Sequence, residues 1–396
     1  MDVVTSTDHL AKICTHLARA EYVTVDTEFM RESTYWPNLC LIQMAGPETD
    51  GTDGDDRTSQ NAYIVDPLAG GIDLAPFYAL MADEGVVKVF HAARQDVEIV
   101  HGQAGVIPLP IFDTQVAAMV CGFGESISYS NLVKAITSQD IDKSSRFTDW
   151  ARRPLSDKQL RYALGDVTHL RAVYTDLNAR LEKTGRAGWL REEMTTLTTP
   201  QTYETQPADA WRRLKLRVRN RKGLAVLMEL AAWREQAAQD QNVPRQRVLR
   251  DEALYDIANQ MPERVEQLAQ LRTLSDGFAR SARAKDIIQA VAAGRARDMS
   301  SVPPLKQGRT IPSDATAIVD LLRVLLKACA SRHDVAAKLI ATTDDLEAIA
   351  LDDDADVAAL RGWRREMFGE DALKIKRGDL ALSVEHGRVT LRSLTP

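Results

Sequence analysis

The chain has 396 residues, of which 44% are hydrophobic and 27% are charged, and its mean hydropathy is −0.26. This composition excludes a collagen-like, a fully disordered and a membrane-embedded protein, and the length predicts two or three domains. The 50 basic and 56 acidic side chains give a net charge of −6, which taken alone argues against nucleic acid as the main partner.

The first ten residues contain neither the basic nor the apolar region of a signal peptide. No run approaches the roughly 18 apolar residues of a membrane-spanning helix. We therefore expect a cytoplasmic protein that does not contact a membrane. The cysteines are widely spaced and form no CxxC pair, so we expect reduced, mostly buried thiols at Cys14, Cys40, Cys121 and Cys329.

The first half of the chain alternates short β-type runs with helical periodicity, which predicts a sheet covered by helices. The predicted strands are 22–29, 39–45, 62–66, 86–90 and 110–113. The predicted helices are 6–20, 74–83, 95–102 and 114–188, the last with a polar interruption at 140–149. Because short connections join the first three strands, we expect them to pair as antiparallel neighbours. A Gly- and Asp-rich run at 46–61 lacks the spacing of a calcium loop and predicts a mobile hairpin loop.

The second half is predicted to be all helical. A stretch without periodicity at 195–209 indicates a linker, and a Pro- and Gly-containing break at 300–312 divides the helical part in two. The predicted helices are 211–219, 223–239, 251–259, 265–271, 279–293 and a set between 314 and 368. The predicted fold is therefore α/β plus all-α: a mixed-sheet domain at 1–200 and two small helical domains at 208–298 and 312–392.

Two carboxylates stand inside an otherwise apolar predicted strand. Asp26 and Glu28 are two residues apart, so their side chains project to the same face. Two close like charges are unfavourable unless a cation compensates them, and an oxygen-only pair suits Mg²⁺ or Mn²⁺. An edge strand with both acids in water is the alternative for this pair alone.

Two further segments carry polar residues that point to the same chemistry. Tyr162 and Asp166 are four residues apart on a predicted helix and share one face, although a core tyrosine and a surface aspartate show the same spacing. Asp96 falls in the first turn of a helix, where acids are favourable in any case. His91 ends the preceding strand, and no HxxH or HExxH spacing indicates a zinc site.

In chain order these segments resemble the DEDD superfamily of 3′–5′ exonucleases, and within it the ribonuclease D family, whose third motif has a tyrosine four residues before the last aspartate. The supporting words are Asp-Thr-Glu-Phe at 26–29, Leu-Ile-Gln at 41–43, His-Ala-Ala-Arg-Gln-Asp at 91–96, Phe-Asp-Thr-Gln at 112–115, Asp-Lys-Ser-Ser at 142–145, Thr-Asp-Trp at 148–150, Arg-Pro-Leu at 153–155 and Tyr-Ala-Leu-Gly-Asp at 162–166. The resemblance covers residues 1–200 and implies a ribonuclease-H-like fold.

The resemblance also implies a role for each residue of these motifs. The metal carboxylates fall on Asp26, Glu28, Asp96 and Asp166, and the motif tyrosine falls on Tyr162. Asp26 is expected to bridge two ions, Glu28 and Asp166 to complete the first site, and Asp96 to support the second. Two ions about 3.5 to 4 Å apart stabilise the attacking and the leaving oxygen of an in-line displacement. Tyr162 is expected to orient a water molecule, because a phenol is a poor base at neutral pH.

Residues 211–222 contain seven basic side chains and no acidic one. Residues 211–300 carry a net charge of +7, which leaves −13 for the rest of the chain. A basic segment on an acidic body predicts a phosphate-contacting surface, with a solvated amphipathic face as the alternative. The candidate RNA contacts are Arg212, Arg213, Lys215, Arg217 and Arg219, together with Phe29 and His91 near the motifs.

The same half resembles the HRDC domain, a small helical nucleic-acid-binding module. The resemblance rests on Trp-Arg-Arg-Leu-Lys at 211–215, Leu-Ala-Ala-Trp-Arg at 230–234, Val-Pro-Arg at 243–245 and Leu-Arg-Asp-Glu at 249–252. Residues 313–390 depart further from the pattern and are interpreted as a divergent second copy.

The resemblances together predict a 3′–5′ exoribonuclease that uses two divalent ions and releases nucleoside 5′-monophosphates. The implied partner is RNA, in particular tRNA precursors with 3′ extensions, and no small organic cofactor is expected. A DNA 3′–5′ exonuclease is an alternative, because no residue of the motifs reads a 2′-hydroxyl. A non-catalytic nucleic-acid-binding scaffold is another, and the sequence leaves the oligomeric state open.

Overall fold

The chain is described from a computed structural model over residues 2–48, 61–142, 144–146, 148–215, 217–305 and 311–394. Most of the predicted hairpin loop at 46–61 lies outside the described residues. Residues 306–310 of the predicted break at 300–312 lie outside them as well.

A six-stranded mixed sheet forms the centre of the first domain. Its strands are β1 (Val3–Val4), β2 (Tyr22–Met30), β3 (Asn38–Ala45), β4 (Ala62–Val65), β5 (Val87–Phe90) and β6 (Ile111–Asp113). Their order is β1-β4-β3-β2-β5-β6, with β2, β3 and β4 antiparallel as predicted and the pairs β1–β4, β2–β5 and β5–β6 parallel. No pattern in the sequence predicts the two-residue β1.

Helices cover the sheet and supply the third motif. They are α1 (Thr7–Leu17), α2 (Ala75–Ala82), α3 (Arg94–Ala104), α4 (Thr114–Val120), α5 (Tyr129–Thr137), α6 (Asp157–Thr184) and α7 (Ala187–Thr198). The longest, α6, begins at a capping box in which the Ser156 and Gln159 side chains satisfy each other's backbone N–H groups, and it ends at Gly185 in the left-handed conformation. The predicted polar interruption at 140–149 lies between α5 and α6.

Between residues 199 and 377, the regular elements of the described residues are all helical. The helices are α8 (Arg221–Asp240), α9 (Arg245–Val248), α10 (Asp251–Gln260), α11 (Val265–Leu268), α12 (Asp276–Ala279), α13 (Ala282–Ala296), α14 (Ser313–His333), α15 (Ala337–Ile340), α16 (Thr343–Leu351), α17 (Gly362–Arg364) and α18 (Glu370–Arg377). A π-helical turn at Arg365–Gly369 joins α17 to α18. We call 207–305 the first helical module and 311–394 the second.

The predicted helix at 211–219 is wrong. A 3₁₀ helix ends at Arg213, and the described residues between it and Arg221 have no regular structure. The apolar positions Leu214 and Val218 lie in a stretch where apolar and basic residues alternate with a period of two, which is not the period of a helix. The described residues of 214–220 therefore form an irregular segment that leads into α8. We call this segment the basic strap.

The two helical modules begin with the same succession of elements. The first three α-helices of the first module have 20, 4 and 10 residues, and those of the second have 21, 4 and 9. Each module also has a glycine at a close backbone crossing: a Cβ on Gly294 would lie 2.5 Å from Val226 Cα, and one on Gly369 would lie 2.5 Å from Ala359 O. These parallels are what a divergent second copy would produce.

The modules attach to the first domain in different ways. The first module has its own core and meets the sheet domain through Tyr35, whose hydroxyl donates to Glu235 and accepts from Arg245. Asn242 Oδ1 accepts from the Tyr35 and Trp36 amides at 3.1 and 3.0 Å. The core of the second module is continuous with that of the sheet domain.

An antiparallel hairpin ends the second module, where only helices were predicted. It comprises β7 (Leu380–Glu385) and β8 (Arg388–Ser393), joined by His386 and Gly387 at φ values of 50° and 76°. Two consecutive positive φ values belong to a type I′ turn, which matches the twist of the strands. The alternation of apolar and polar residues on both sides of the turn is the signal that would have predicted it.

Among the described residues, no helix has the length and apolar character needed to cross a membrane. All four cysteines are free; Cys14, Cys40 and Cys329 are buried, and Cys121 is half-buried.

Candidate active site

The first two carboxylates lie on β2, on the face that α6 covers. Thr24, Asp26 and Glu28 alternate along this face, and the Thr24 hydroxyl donates to the Val167 carbonyl of α6 at 2.9 Å. The strand pairing shifts register between Glu28 and Phe29. The alternation predicted from sequence therefore places both acids between the sheet and the helix that carries the third motif, and not on a solvated edge strand.

Asp166 is held against these acids by contacts on both of its neighbours. The Tyr129 hydroxyl donates to the Gly165 carbonyl at 3.0 Å, and the Thr24 hydroxyl fixes Val167 on the other side. One oxygen each of Asp26, Glu28 and Asp166 lies within 4.8 Å of the others. We call these three residues the carboxylate trio.

Asp96 lies beside the trio, in the first turn of α3. Its side chain is 7% exposed and accepts a hydrogen bond from the Thr27 hydroxyl. Asp113 shapes the turn before α3, because its carboxylate accepts from the Ala92 and Ala93 amides at 3.0 and 2.9 Å. The structure thus brings all four predicted carboxylates into one region, with Asp96 outside the tightest group.

The environment opposes ionisation of all four acids. Burial raises the pKa of Asp26 well above its usual range, and Asp166, Asp96 and Glu28 raise it further. Burial and the charges of Asp166 and Asp96 raise the pKa of Glu28 to about 9. Burial raises the pKa values of Asp166 and Asp96 to about 7, although hydrogen bonds from Tyr162 and Thr27, respectively, act in the opposite direction.

Tyr162 contacts the trio as its spacing predicts. Its hydroxyl donates to Asp166 one turn along α6, and burial followed by the charges of Asp166, Glu28 and Asp26 raises the pKa of the phenol. The hydroxyl is therefore neutral throughout the physiological pH range and acts as a hydrogen-bond donor and acceptor.

The carboxylate trio and Tyr162 line a cleft of about 980 Å³, which we call the acidic cleft. Phe29 and His91 line it, and their contact with RNA stays a prediction. Burial lowers the pKa of His91, so the imidazole is neutral at pH 7, and its Nδ1 lies 3.0 Å from Thr114 Oγ1. The predicted basic residues at 212–219 do not line this cleft.

Sequence reasoning missed other residues of the acidic cleft. Trp150 is buried, with its ring centroid 6.0 Å from that of Tyr162, and Tyr129 packs against His91 at 5.4 Å. Arg146 lines the cleft and lowers the pKa of Asp166. Trp150 belongs to the segment Thr-Asp-Trp at 148–150, on which the family resemblance partly rests. No local sequence pattern sets Tyr129 or Arg146 apart.

The chain matches two protein-family models. Residues 1–182 match the model described as a 3′-5′ exonuclease, and residues 223–291 match the HRDC domain. Ribonuclease D of Nitrobacter hamburgensis is 56% identical over 98% of this chain and 98% of its own. Ribonuclease D of Granulibacter bethesdensis is 46% identical over 98% of this chain and 96% of its own. The chain belongs to the ribonuclease D family of 3′–5′ exoribonucleases.

A solved structure agrees with this assignment along nearly the whole chain. The crystal structure of Escherichia coli RNase D superposes with a TM-score of 0.78 at 27% identity and covers 95% of this chain and 98% of that one. That protein is described as an exoribonuclease involved in structured RNA processing. The match confirms the predicted fold, a mixed-sheet exonuclease domain followed by helical modules.

The exonuclease fold of the ribonuclease D family implies a divalent metal, and the residues present here fit one. The trio supplies oxygen ligands only, which is the donor set that hard cations such as Mg²⁺ and Mn²⁺ prefer. Buried carboxylates that raise each other's pKa are unfavourable as anions unless a cation joins them. The Tyr162 hydrogen bond and the Arg146 charge lower the pKa of Asp166, but burial outweighs both and leaves this pKa at about 7.

Proposed function

We propose that the chain hydrolyses the 3′-terminal phosphodiester of RNA with two divalent ions, Mg²⁺ or Mn²⁺, and releases nucleoside 5′-monophosphates one at a time. The observation that carries this proposal is the carboxylate trio, with Asp96 beside it, in a cleft large enough for a nucleotide. Two such ions supply charge that stabilises the attacking and the leaving oxygen of an in-line displacement.

In this proposal each of the four acids binds one or both of the metal ions. Asp26 is central, since Asp166, Asp96 and Glu28 all act on its charge. Asp26, Glu28 and Asp166 would hold one ion, and Asp26 with Asp96 would hold the other. The hydrogen bonds on Gly165 and Val167 hold α6 against α5 and β2, which supports this assignment.

Tyr162 orients the attacking water in this proposal. A neutral phenol that already donates to Asp166 has lone pairs left to accept a hydrogen bond from water. The raised pKa of Tyr162 supports a positioning role, because a group that stays protonated at pH 7 is not a general base there.

The proposed substrates are structured RNAs with 3′ extensions, such as tRNA precursors. The HRDC match and the strap of basic residues support a contact with the body of a folded RNA. We propose the cytoplasm as the site of action, since the four free cysteines suit a reducing compartment.

A tRNA with a 3′ trailer and a 5′ label tests this function. We expect products that shorten one nucleotide at a time from the 3′ end, that need Mg²⁺ or Mn²⁺, and that accumulate near the mature end. DNA of the same sequence is the matched substrate for the RNA preference. Internal fragments, or full activity in EDTA, would contradict the proposal.

A further inference from the structure

A second cleft adjoins the acidic cleft at Arg31. Arg31 directly follows β2, three residues after Glu28, and its side chain lines both clefts. The second cleft has a volume of about 420 Å³ and lies between the exonuclease domain and the first helical module. We call it the arginine cleft.

Four arginines line this cleft, and Asp251 is the one acid among its lining residues. Arg31 comes from the exonuclease domain, whereas Arg213, Arg234 and Arg245 come from the first helical module. Arginines from both sides of the junction therefore line one cleft.

Three of these guanidinium groups are fixed in place by partners on their own side of the junction. Arg31 makes a two-pronged contact with Glu98, with both nitrogen–oxygen distances at 2.8 Å. Within the first module, Arg234 pairs with Asp251 at 2.6 Å and Arg245 pairs with Glu235 at 2.5 Å. Each guanidinium has five N–H donors, so donors remain after these contacts.

These ion pairs do not explain why arginines of both domains line the same cleft. None of the three pairs joins the exonuclease domain to the module, because both partners of each pair lie on the same side. Among the described residues, the hydrogen bonds that cross the junction join Tyr35 and Trp36 to the first module, where the partners are Glu235, Gln239, Asn242 and Arg245. Cations that face each other across a cleft repel, and an anion between them removes the penalty.

Arg213, the last residue of the 3₁₀ helix before the basic strap, also lines this cleft. Its side chain is exposed, and within the described residues it makes no ion pair or side-chain hydrogen bond. Its neighbour Arg212 pairs instead with Asp209 at 2.7 Å and stacks on Trp211. Arg213 is thus a free cation beside three pre-oriented ones.

We propose that the arginine cleft binds the phosphodiester backbone of the RNA strand on the 5′ side of the bond that is cut. This inference rests on the proposed function, which places the 3′ end of the strand in the acidic cleft. The strand must leave that cleft, and Arg31 forms the boundary that the two clefts share. Fixed guanidinium groups bind phosphate with a small entropy cost, because little side-chain motion is lost.

The test measures binding of a fluorescent 12-nucleotide single-stranded RNA in the Asp26→Asn background, where the strand is not digested. Arg213→Gln should weaken binding roughly tenfold and should lower the slope of log Kd against log salt concentration by about 1, as for one lost phosphate contact. Arg272→Gln is the matched control, because Arg272 is an exposed arginine of the same module that lines neither cleft. It should change Kd less than twofold.

Turnover of a dinucleotide by the wild-type enzyme separates this inference from the proposed function. In this proposal a dinucleotide occupies the acidic cleft alone, so its hydrolysis reports on the proposed function and not on the arginine cleft. Absence of dinucleotide and 12-nucleotide hydrolysis in the wild type would refute the proposed function alone, since the binding assay does not depend on turnover. Equal losses of 12-nucleotide binding in Arg213→Gln and Arg272→Gln would overturn the arginine cleft as an RNA site.

Discussion

The acidic cleft and the arginine cleft share Arg31 but treat charge in opposite ways. In the acidic cleft, Asp26 and Glu28 are buried beside other acids, and burial with mutual repulsion raises their pKa values. In the arginine cleft, Arg234 and Arg245 are paired with acids of their own module. One region is incomplete without a cation, and the other is complete as a folded structure and still offers donors.

The difference shows how to tell a site from a structural charge network. A buried charge with a geometrically good partner contributes to the fold, whereas buried like charges without one are costly. By this criterion the carboxylate trio is a candidate site for a cation, because its acids are buried beside one another. Ion pairs within their own domain fix three of the four arginines of the arginine cleft, whereas Arg213 has no such pair among the described residues.

Removal of one acid from the trio should have the largest effect. We expect Asp26→Asn or Asp166→Asn to lower kcat/KM for RNA by at least about 10²-fold, because the electrostatic stabilisation of the displacement is lost. Asp157→Asn is the control, since Asp157 is an exposed acid in the first turn of the same helix as Asp166. Steady-state kinetics on 5′-labelled RNA measures both. Wild-type rates in both trio variants would show that these carboxylates are not the catalytic ones.

Loss of the phenolic hydroxyl should have the next largest effect. Tyr162→Phe is expected to lower kcat roughly 10- to 10²-fold and to leave KM within about twofold, because the hydroxyl positions water and does not hold the strand. Kinetics on the same RNA separates the two constants. A raised KM with normal kcat would assign Tyr162 to substrate binding instead.

The comparison also predicts an unusual dependence of stability on pH. The carboxyls of Asp166 and Asp96, with pKa values of about 7, and of Glu28, at about 9, bind protons more tightly in the folded chain than in the unfolded one. The folded state therefore holds more protons, and stability should fall as pH rises from about 5 to 9, by about 2 kcal/mol or more. Thermal unfolding in EDTA measures the trend.

Added Mg²⁺ or Mn²⁺ should reverse this loss most strongly at high pH, because the ions bind the ionised carboxylates. Asp26→Asn should unfold in EDTA with a weaker pH dependence than the wild type. A melting temperature that rises between pH 6 and pH 9 without metal would contradict the interpretation of the trio.

The smallest effect is expected at the junction beside the arginine cleft. Tyr35 is 5% exposed and Glu235 is 1% exposed, and Glu235 keeps its pairing with Arg245 when the tyrosine hydroxyl is removed. Tyr35→Phe should therefore cost about 1 to 2 kcal/mol of stability, because the hydroxyl donates to Glu235 and accepts from Arg245 and Gln239. Urea unfolding of the full chain measures the change. A loss of several kcal/mol would mean that the hydroxyl does more than complete the Glu235 pair.

Much of the site was accessible from sequence because its signals are local. The alternation that buries one face of β2 identifies Asp26 and Glu28, and helical spacing joins Tyr162 to Asp166. The meeting of β2, α3 and α6 is a property of the fold, so Asp96 joined the others only through the resemblance to a family.

Other features had no local signal or had one that was misread. The period-two pattern at 214–218 indicated an irregular or extended strap, yet a helix was predicted, and the turn at His386 and Gly387 indicated a hairpin that was overlooked. The arginine cleft joins Arg31 to Arg213 across the junction of two domains. No sequence pattern brings residues so far apart in the chain together.

The most direct test of the acidic cleft as a two-ion catalytic site is anomalous diffraction from crystals of the wild-type protein grown with Mn²⁺. We predict two manganese peaks, one contacted by Asp26, Glu28 and Asp166 and the other by Asp26 on the side of Asp96. Manganese that binds elsewhere, with no peak in contact with Asp26, would contradict the account.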